Sequence, residues 1–513
     1  MKKNIISTTL AIALAVFGLT AQTTEFDAMR LAQTDIQGTA RFMGMAGAFG
    51  ALGGDASAIH VNPAGLGVYR SSELTLTLNL ANQRSRADWD GRIADDNRTS
   101  LGINNFGLVW ANPTMRAMAG STTGLLQTNW AFSHNRLRDF NRDVTVRGNA
   151  MDQSVTDLYA LLTGGLPGGF IDVDGNLNRY FDHRNDLGWL SILAYATELI
   201  HYTGNYSWSS RLSPGELVTP SFNMRERGSL DEFSISWGGN ISNTFFIGAN
   251  LNLRSINYRM TSTYIEEFAE GRLNMENYLR TTGGGASFGV GVIYRPVHFL
   301  RFGLAYQSPM RYELTHTHSG DMISHLFQVG TPQRTTEHLI RTPGRITASA
   351  AGVIGQRAII SADVVYTDFS NIEIIQRGRW GEPGDYDREN ESMRYGFNST
   401  FTVKVGAEYR ITNQFSVRAG FANQMPTMRD AHNTPMKMLW YNARRTDTEY
   451  FVHRGTHLFT AGLGYRGSFW YFDAAFVNRN VREDFMPFES EFISPARVTT
   501  RNFDVVATVG LRF

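Results

Sequence analysis

The sequence contains no cysteine in 513 residues. That excludes a disulfide framework and a lipid-anchored N-terminal cysteine. Neither sign of charge is in excess: 48 Lys and Arg stand against 47 Asp and Glu, a formal net charge of +1, so no nucleic-acid partner is implied. Long hydrophobic runs are almost missing. The exception, Leu10 to Leu19, follows the basic start Met1-Lys2-Lys3-Asn4 and gives way at Thr20-Ala21 to Gln22-Thr23-Thr24-Glu25. It is shorter than the about 20 apolar residues a spanning helix needs, and it reads as a secretory signal peptide over residues 1–21, cut after Ala21. Mean hydropathy is −0.25, which leaves a soluble protein or a β-barrel, because a barrel hides its apolar side chains in alternation.

Glycine is abundant at 50 residues and aromatics make up 12%, a composition that suits a large exported β protein better than an α/β enzyme. From Glu73 the pattern becomes explicit. Leu74, Leu76, Leu78 and Leu80 alternate with Glu73, Thr75, Thr77 and Asn79, which is the period of a strand with one apolar and one polar face. The same alternation returns in Phe245, Ile247, Ala249, Leu251 and Leu253, in Phe288, Val290, Val292 and Tyr294, in Phe401, Val403, Val405 and Tyr409, and in Phe459, Ala461, Leu463 and Tyr465. The opposite faces carry Asn250, Arg254, Arg301, Asp363, Lys404, Glu408, Arg418 and Asp473. Those groups are costly in a dry sandwich core and suit a wet lumen.

Connection lengths supply the topology. Short connections lie at Ser242-Asn243-Thr244, Pro296-Val297-His298, Gly355-Gln356-Arg357, Thr412-Asn413-Gln414 and Arg466-Gly467-Ser468. Long polar stretches at about 261–283, 316–342, 371–397, 426–455 and 482–499 are expected to be external loops, with a longer one at about 136–230. Within that last stretch Val155–Leu162 and Leu190–Ala196 read as short helices. The count comes to about 14 strands. The last of them alternates Phe503, Val505, Ala507, Val509, Leu511 and Phe513 with Asp504, Thr508 and Arg512. A final strand ending in an aromatic residue resembles the signal read by the barrel assembly machinery, which makes that machinery an expected partner through Phe513.

Ahead of the first strand, residues 22–71 are too few for a core of their own. Gly44, Gly47, Gly50 and Gly53 recur every third residue, yet no strand precedes them and no Lys follows, so they are not a nucleotide loop. They let backbone and wall approach closely. Asp55 is placed to cap the turn Ala56–Ile59, and Asn62-Pro63-Ala64-Gly65 reads as the turn that ends it. The run Gly54-Asp55-Ala56-Ser57-Ala58-Ile59-His60-Val61-Asn62-Pro63-Ala64-Gly65-Leu66, just before the first strand, resembles the hatch of the FadL/TodX (OMPP1) family of outer-membrane transporters, whose Asn-Pro-Ala motif is matched at Asn62, Pro63 and Ala64. Gly406–Arg410 leading into Phe415–Gly420 is similar to that family's C-terminal strands.

The resemblance implies an antiparallel all-β transmembrane barrel of fourteen strands plugged by an N-terminal hatch. It implies passive uptake of hydrophobic small molecules, long-chain fatty acids or aromatic hydrocarbons, with lateral exit through the wall. The apolar hatch residues Phe42, Met43, Met45, Phe49, Leu52 and Leu66 are the candidate ligand contacts, set against a role of sealing plug to wall. Asn62, Pro63 and Ala64 are expected to set hatch geometry.

No enzyme, cofactor or metal is expected. Gly-x-Ser-x-Gly is absent, His316-Thr317-His318 lacks a third ligand nearby, and the calcium-like Asp172–Asn178 has Leu177 where that loop needs Gly. The domain reading is therefore signal peptide 1–21, hatch 22–71 and barrel 72–513, in the outer membrane of a Gram-negative bacterium. Membrane lipid and lipopolysaccharide surround it, and it acts as a monomer. The competing expectation is a surface receptor barrel, haem-binding or adhesin-like, that works through its external loops; a general porin is third.

Overall fold

The computed structural model describes residues 24–181, 187–213, 215–269, 271–355, 357–375, 386–429, 445–490 and 492–513. The expected signal peptide 1–21 lies outside the described residues. No helix among the described residues is long and apolar enough to cross a membrane. The chain crosses with strands instead.

Fourteen antiparallel strands close into a barrel. They are β1 (Glu73–Trp89), β2 (Arg92–Trp110), β3 (Leu125–Asp139, continued by Arg142–Arg147), β4 (Thr219–Ile241), β5 (Phe245–Phe268), β6 (Gly271–Val297) and β7 (Leu300–Gln307, continued by Arg311–Ile323). There follow β8 (Arg334–Arg341, continued by Arg345–Ile354), β9 (Ala358–Asp368, continued by Glu373–Ile375), β10 (Ser399–Arg410), β11 (Phe415–Gln424), β12 (Tyr450–Arg466), β13 (Trp470–Met486) and β14 (Ala496–Arg512). Strand β14 pairs with β1 from Glu73↔Arg512 to Asp88↔Arg497 and closes the ring. Closure removes the unpaired edges that hydrocarbon does not tolerate.

A belt of outward apolar side chains marks the lipid level. Leu76, Leu78 and Leu80 on β1, Phe288 and Val290 on β6, and Val505 and Val509 on β14 are exposed, while Thr75, Thr77, Asn79 and Thr508 point inward and are buried. Above the belt the alternation inverts. On β5 the outward Leu251 and Leu253 give way to Arg259 and Thr261, while the inward Asn250 and Asn252 give way to Ile256, Tyr258 and Met260. Lipid selects apolar groups outside and polar groups inside; water outside reverses both preferences.

That inversion corrects several boundaries. The stretch 261–283 is a tight hairpin of β5 and β6, and most of 316–342 is strand, as are the last residues of 426–455 and both ends of 482–499. The insertion expected at about 136–230 shrinks to the residues between Arg147 and Thr219, because β3 runs through Arg147 and β4 begins at Thr219. Upper strand halves with polar outer faces read as loops when alternation is sought only with apolar groups facing lipid. Within the insertion the helices Val155–Thr163 and Trp189–Ala196 form close to where the sequence placed them. Together with the upper strands they build one apolar cluster that fills the outer half of the lumen, including Tyr159, Trp189, Tyr258, Met260, Leu279 and Tyr312.

Candidate transport pathway

Residues 24–69 run down the inside of this barrel. Helix α1 (Glu25–Ala32) opens on a capping box between Thr24 and Asp27 and packs in the outer apolar cluster through Ala28, Met29 and Leu31. Asp27 bonds Arg30 at 2.6 Å and Arg445 at 3.0 Å, and these guanidiniums hold its carboxyl well below the usual range although burial opposes them. The chain then descends to helix α2 (Ala40–Gly44), capped by Thr39. The Thr39 hydroxyl donates to Asp55 at 2.8 Å, and Ser57 donates its amide to the same carboxylate at 2.9 Å. Burial pushes the Asp55 carboxyl up to about 6, against Arg41 and those hydrogen bonds, and it pushes His60 down to about 4.

The segment is bonded to the wall on every side. Arg41 pairs with Glu408 at 2.9 Å; Glu408 also takes Arg418 at 2.6 Å, and Arg418 takes Asp473 at 2.6 Å. Asp363 accepts the amides of Phe49 and Gly50, both at 3.0 Å. Asn62 caps the turn Pro63–Val68 by accepting from the Ala64 amide at 3.1 Å, and its side-chain amide donates to Gly50 O at 2.7 Å and Val292 O at 3.3 Å. The turn lies so close to the wall that a Cβ at Gly248 would stand 2.3 Å from the Pro63 carbonyl, and one at Gly291 would stand 2.0 Å from Asn62 Oδ1. Only glycine fits at either site.

Of the six apolar residues singled out in the sequence, Phe42 lines a cavity above α2. Phe49 packs on Phe42 with ring centroids 5.6 Å apart. Met43 contacts Asn104, Met45 lies on Gly406 and Gly420, and Leu52 presents its carbonyl to Arg301. Leu66 joins a separate cluster with Val109 and Ala131. The structure thus brings Phe42, Met43, Met45, Phe49 and Leu52 into one cluster and leaves Leu66 apart.

The cavity encloses about 1010 Å³ of space between atoms, part of it open to solvent. Its apolar side is Ile36, Phe42, Val365, Phe369, Ala422 and Leu458; its polar side includes Arg345, Lys404, Thr347 and Thr402. Arg345 is held at the rim by bonds to Thr34 Oγ1 and Ala32 O, both 2.7 Å. Sequence reasoning put Lys404 on the lumen face and missed Arg345, Ile36 and Leu458. The available signal was the same alternation, read for its inward members.

Across the ring from the cavity, whose wall residues come from β7 to β13, the wall is incomplete. Strands β2 and β3 pair only from Asn105↔Asn135 to Trp110↔Trp130. Above that point β2 pairs only with β1, and β3 pairs only with β4. Strand β3 carries a register shift between Arg136 and Arg138 and breaks at Phe140-Asn141, the local disruption that bends a strand away from its neighbour. The outward residues at the gap, Leu101 and Ile103, pair with Leu80 and Leu78 of β1, so the gap opens at lipid level. At its foot Asn104 donates to Gln37 of the N-terminal segment at 2.7 Å. His316 meets His338 at 4.2 Å instead of His318, and no group of three metal-ligating side chains occurs among the described residues.

Residues 231–436 match the sequence model of a family described as outer membrane protein transport protein (OMPP1/FadL/TodX). Over that stretch the chain is similar to the FadL/TodX outer-membrane transporters. Two solved structures share the fold. A FadL homologue of Pseudomonas aeruginosa superposes with a TM-score of 0.53 at 14% identity, covering 94% of this chain and 99% of that one. The Ralstonia pickettii toluene transporter TbuX gives 0.50 at 12% identity, with 93% and 99% covered. No curated protein matches the sequence. As in the FadL/TodX family, the barrel belongs to the outer membrane.

Proposed function

We propose that the protein is a passive outer-membrane channel for hydrophobic small molecules, long-chain fatty acids or aromatic hydrocarbons, with residues 22–71 as its hatch. The ligand enters the apolar outer half of the lumen, rests in the cavity against Phe42, and leaves sideways into the bilayer between β2 and β3. The observation that carries this reading is the gap above Asn105↔Asn135, because it opens where the outer wall is apolar. A greasy molecule passing sideways exchanges one apolar surrounding for another, whereas the axial route is filled by hatch and buried ion pairs.

The cavity favours an amphiphile over a bare hydrocarbon. A carboxylate beside Arg345 and Lys404 gains charge-assisted hydrogen bonds, while the tail covers Ile36, Phe42 and Leu458. A hydrocarbon brings those cations no further hydrogen bond.

The test exploits the absence of native cysteine. Ser100 Oγ donates to Asp139 Oδ2 at 3.2 Å across the gap, so Ser100→Cys with Asp139→Cys places two thiols across it. Oxidation is expected to cut uptake of radiolabelled oleate by about tenfold or more, with recovery on reduction, as for a locked gate. Undiminished uptake in the fully cross-linked protein refutes the lateral route.

A further inference from the structure

At the end of the barrel that holds the short turns, six segments join neighbouring strands: 110–124, 241–245, 294–301, 353–358, 409–415 and 465–470. None contains Asp or Glu, although the chain has 47 of them. The same segments carry Arg116, Arg295, Arg301, Arg357, Arg410 and Arg466. At the other end the first hairpin mixes both signs, Asp88, Asp90, Asp95 and Asp96 with Arg84, Arg86, Arg92 and Arg98. A chain with a formal net charge of +1 has therefore kept acidic side chains out of these six connections while mixing both signs elsewhere.

Two of the rim cations are occupied by the protein itself: Arg301 donates to Leu52 O at 2.8 Å, and Arg512, at the end of β14, pairs with the buried Glu73 at 3.1 Å. Arg116, Arg357, Arg410 and Arg466 are exposed and form no ion pair among the described residues. Each stands in a turn with a large exposed apolar neighbour: Met115 with Arg116, Ile354 with Arg357, Ile411 with Arg410 and Phe469 with Arg466. The apolar belt starts within a few residues of these turns, at Ile360, Tyr409, Phe415 and Trp470.

Short turns mark the periplasmic end of a bacterial barrel. We propose that this rim is a binding surface for anionic phospholipid headgroups of the periplasmic leaflet. The apolar residue of each turn dips toward the acyl chains while its arginine meets the phosphate, a planar donor fork against an oxyanion at the membrane interface. A soluble acidic partner would also match the charge, but it leaves Met115, Ile354, Ile411 and Phe469 in water. A lipid surface accounts for both halves of the repeated pair.

The experiment uses the full folded chain in nanodiscs of phosphatidylcholine with a minority of phosphatidylglycerol, and native mass spectrometry reads the lipids retained on release. Phosphatidylglycerol is expected to be enriched about threefold or more over its bulk fraction, as for a basic interfacial cluster. Arg357→Gln with Arg410→Gln and Arg466→Gln should bring the ratio close to bulk; the corresponding Lys triple should keep most of it, which separates charge from misfolding. Bulk-like lipid around the unmodified protein overturns the proposal, and so does enrichment that survives in the folded Gln triple. Neither result bears on uptake through the wall.

Discussion

Two seams flank β1 and β2, and they are built differently. The closure between β1 and β14 is paired without interruption from Glu73↔Arg512 to Asp88↔Arg497, whereas the seam between β2 and β3 stops at Asn105↔Asn135. Both separate lipid from lumen, and both touch the hatch. On the closure side the Ala40 amide donates to Thr508 Oγ1 at 2.7 Å, and Thr508 is bonded in turn to Thr77 at 2.7 Å. On the open side the Asn104 amide holds Gln37 at 2.7 Å. A barrel needs closure for its backbone hydrogen bonds, but it is able to forgo pairing where bulged strands and side chains cover the exposed groups. The difference teaches that, among the described residues, two seams that flank the same hairpin are closed to different heights.

The sharpest way to break the comparison is to tie each seam in turn. Cross-linking Ser100→Cys to Asp139→Cys is expected to stop uptake, while Leu80→Cys with Val505→Cys, facing each other on the lipid side of the closure, should leave it within about twofold. Equal loss from both locks would mean that general breathing of the barrel, and not the open seam, carries the ligand.

Next in size is the ionic latch. Arg41→Ala removes a hatch cation from Glu408 and leaves that carboxylate to Arg418 alone, at a cost of about 2 kcal/mol for a charge-assisted contact in a mostly buried site. Faster hydrogen exchange over residues 38–54, together with leak of small ions through planar bilayers, is the expected readout.

Asp55 gives a pH dependence of docking with a definite sign. Its carboxyl rises from 3.8 to about 6 in the folded protein, chiefly through burial. Docking is therefore favoured below pH 4, weakens as pH rises through 6, and stays weakened above it. Asp55→Asn should remove that slope, by on the order of 2 kcal/mol between pH 4 and 7. His60, lowered to about 4 by burial, contributes in the opposite sense: its stabilisation is present above 6.5 and is lost as pH falls through 4. The comparison of variant with parent isolates Asp55, and parallel curves from protease-accessibility titrations would refute its role. The smallest effect is expected at the foot of the open seam, where Asn104→Leu costs about 1 kcal/mol by leaving Gln37 without its donor. It should speed exchange around Gln37 without touching the closure side.

What could be read from the sequence follows from where lipid acted on it. Leu76, Leu78 and Leu80 declare a strand because hydrocarbon demands an apolar outer face, and Asn62-Pro63-Ala64 declares the hatch turn because backbone contact with Gly248 and Gly291 leaves few substitutes. Leu273 and Met275 alternate with Arg272 and Asn274 just as strictly, yet they passed for loop because their apolar face points inward. The cavity was harder still. Phe42 was visible as an apolar residue of the N-terminal segment, but its partners Arg345 and Leu458 come from two strands far from it in the chain, and only closure of the ring brings them together.

The inverted upper wall has a further consequence for what the molecule looks like from outside. Strand β6 has 27 residues, and at ~3.3 Å per residue it measures about 90 Å along its length. A lipid belt about 25 Å tall, crossed at the usual tilt, takes up less than half of that. The remainder stands as a chimney whose outer surface is hydrophilic and whose flue is greasy. On the proposed route, a hydrophobic molecule would be collected at the top of that flue and delivered to the bilayer from within.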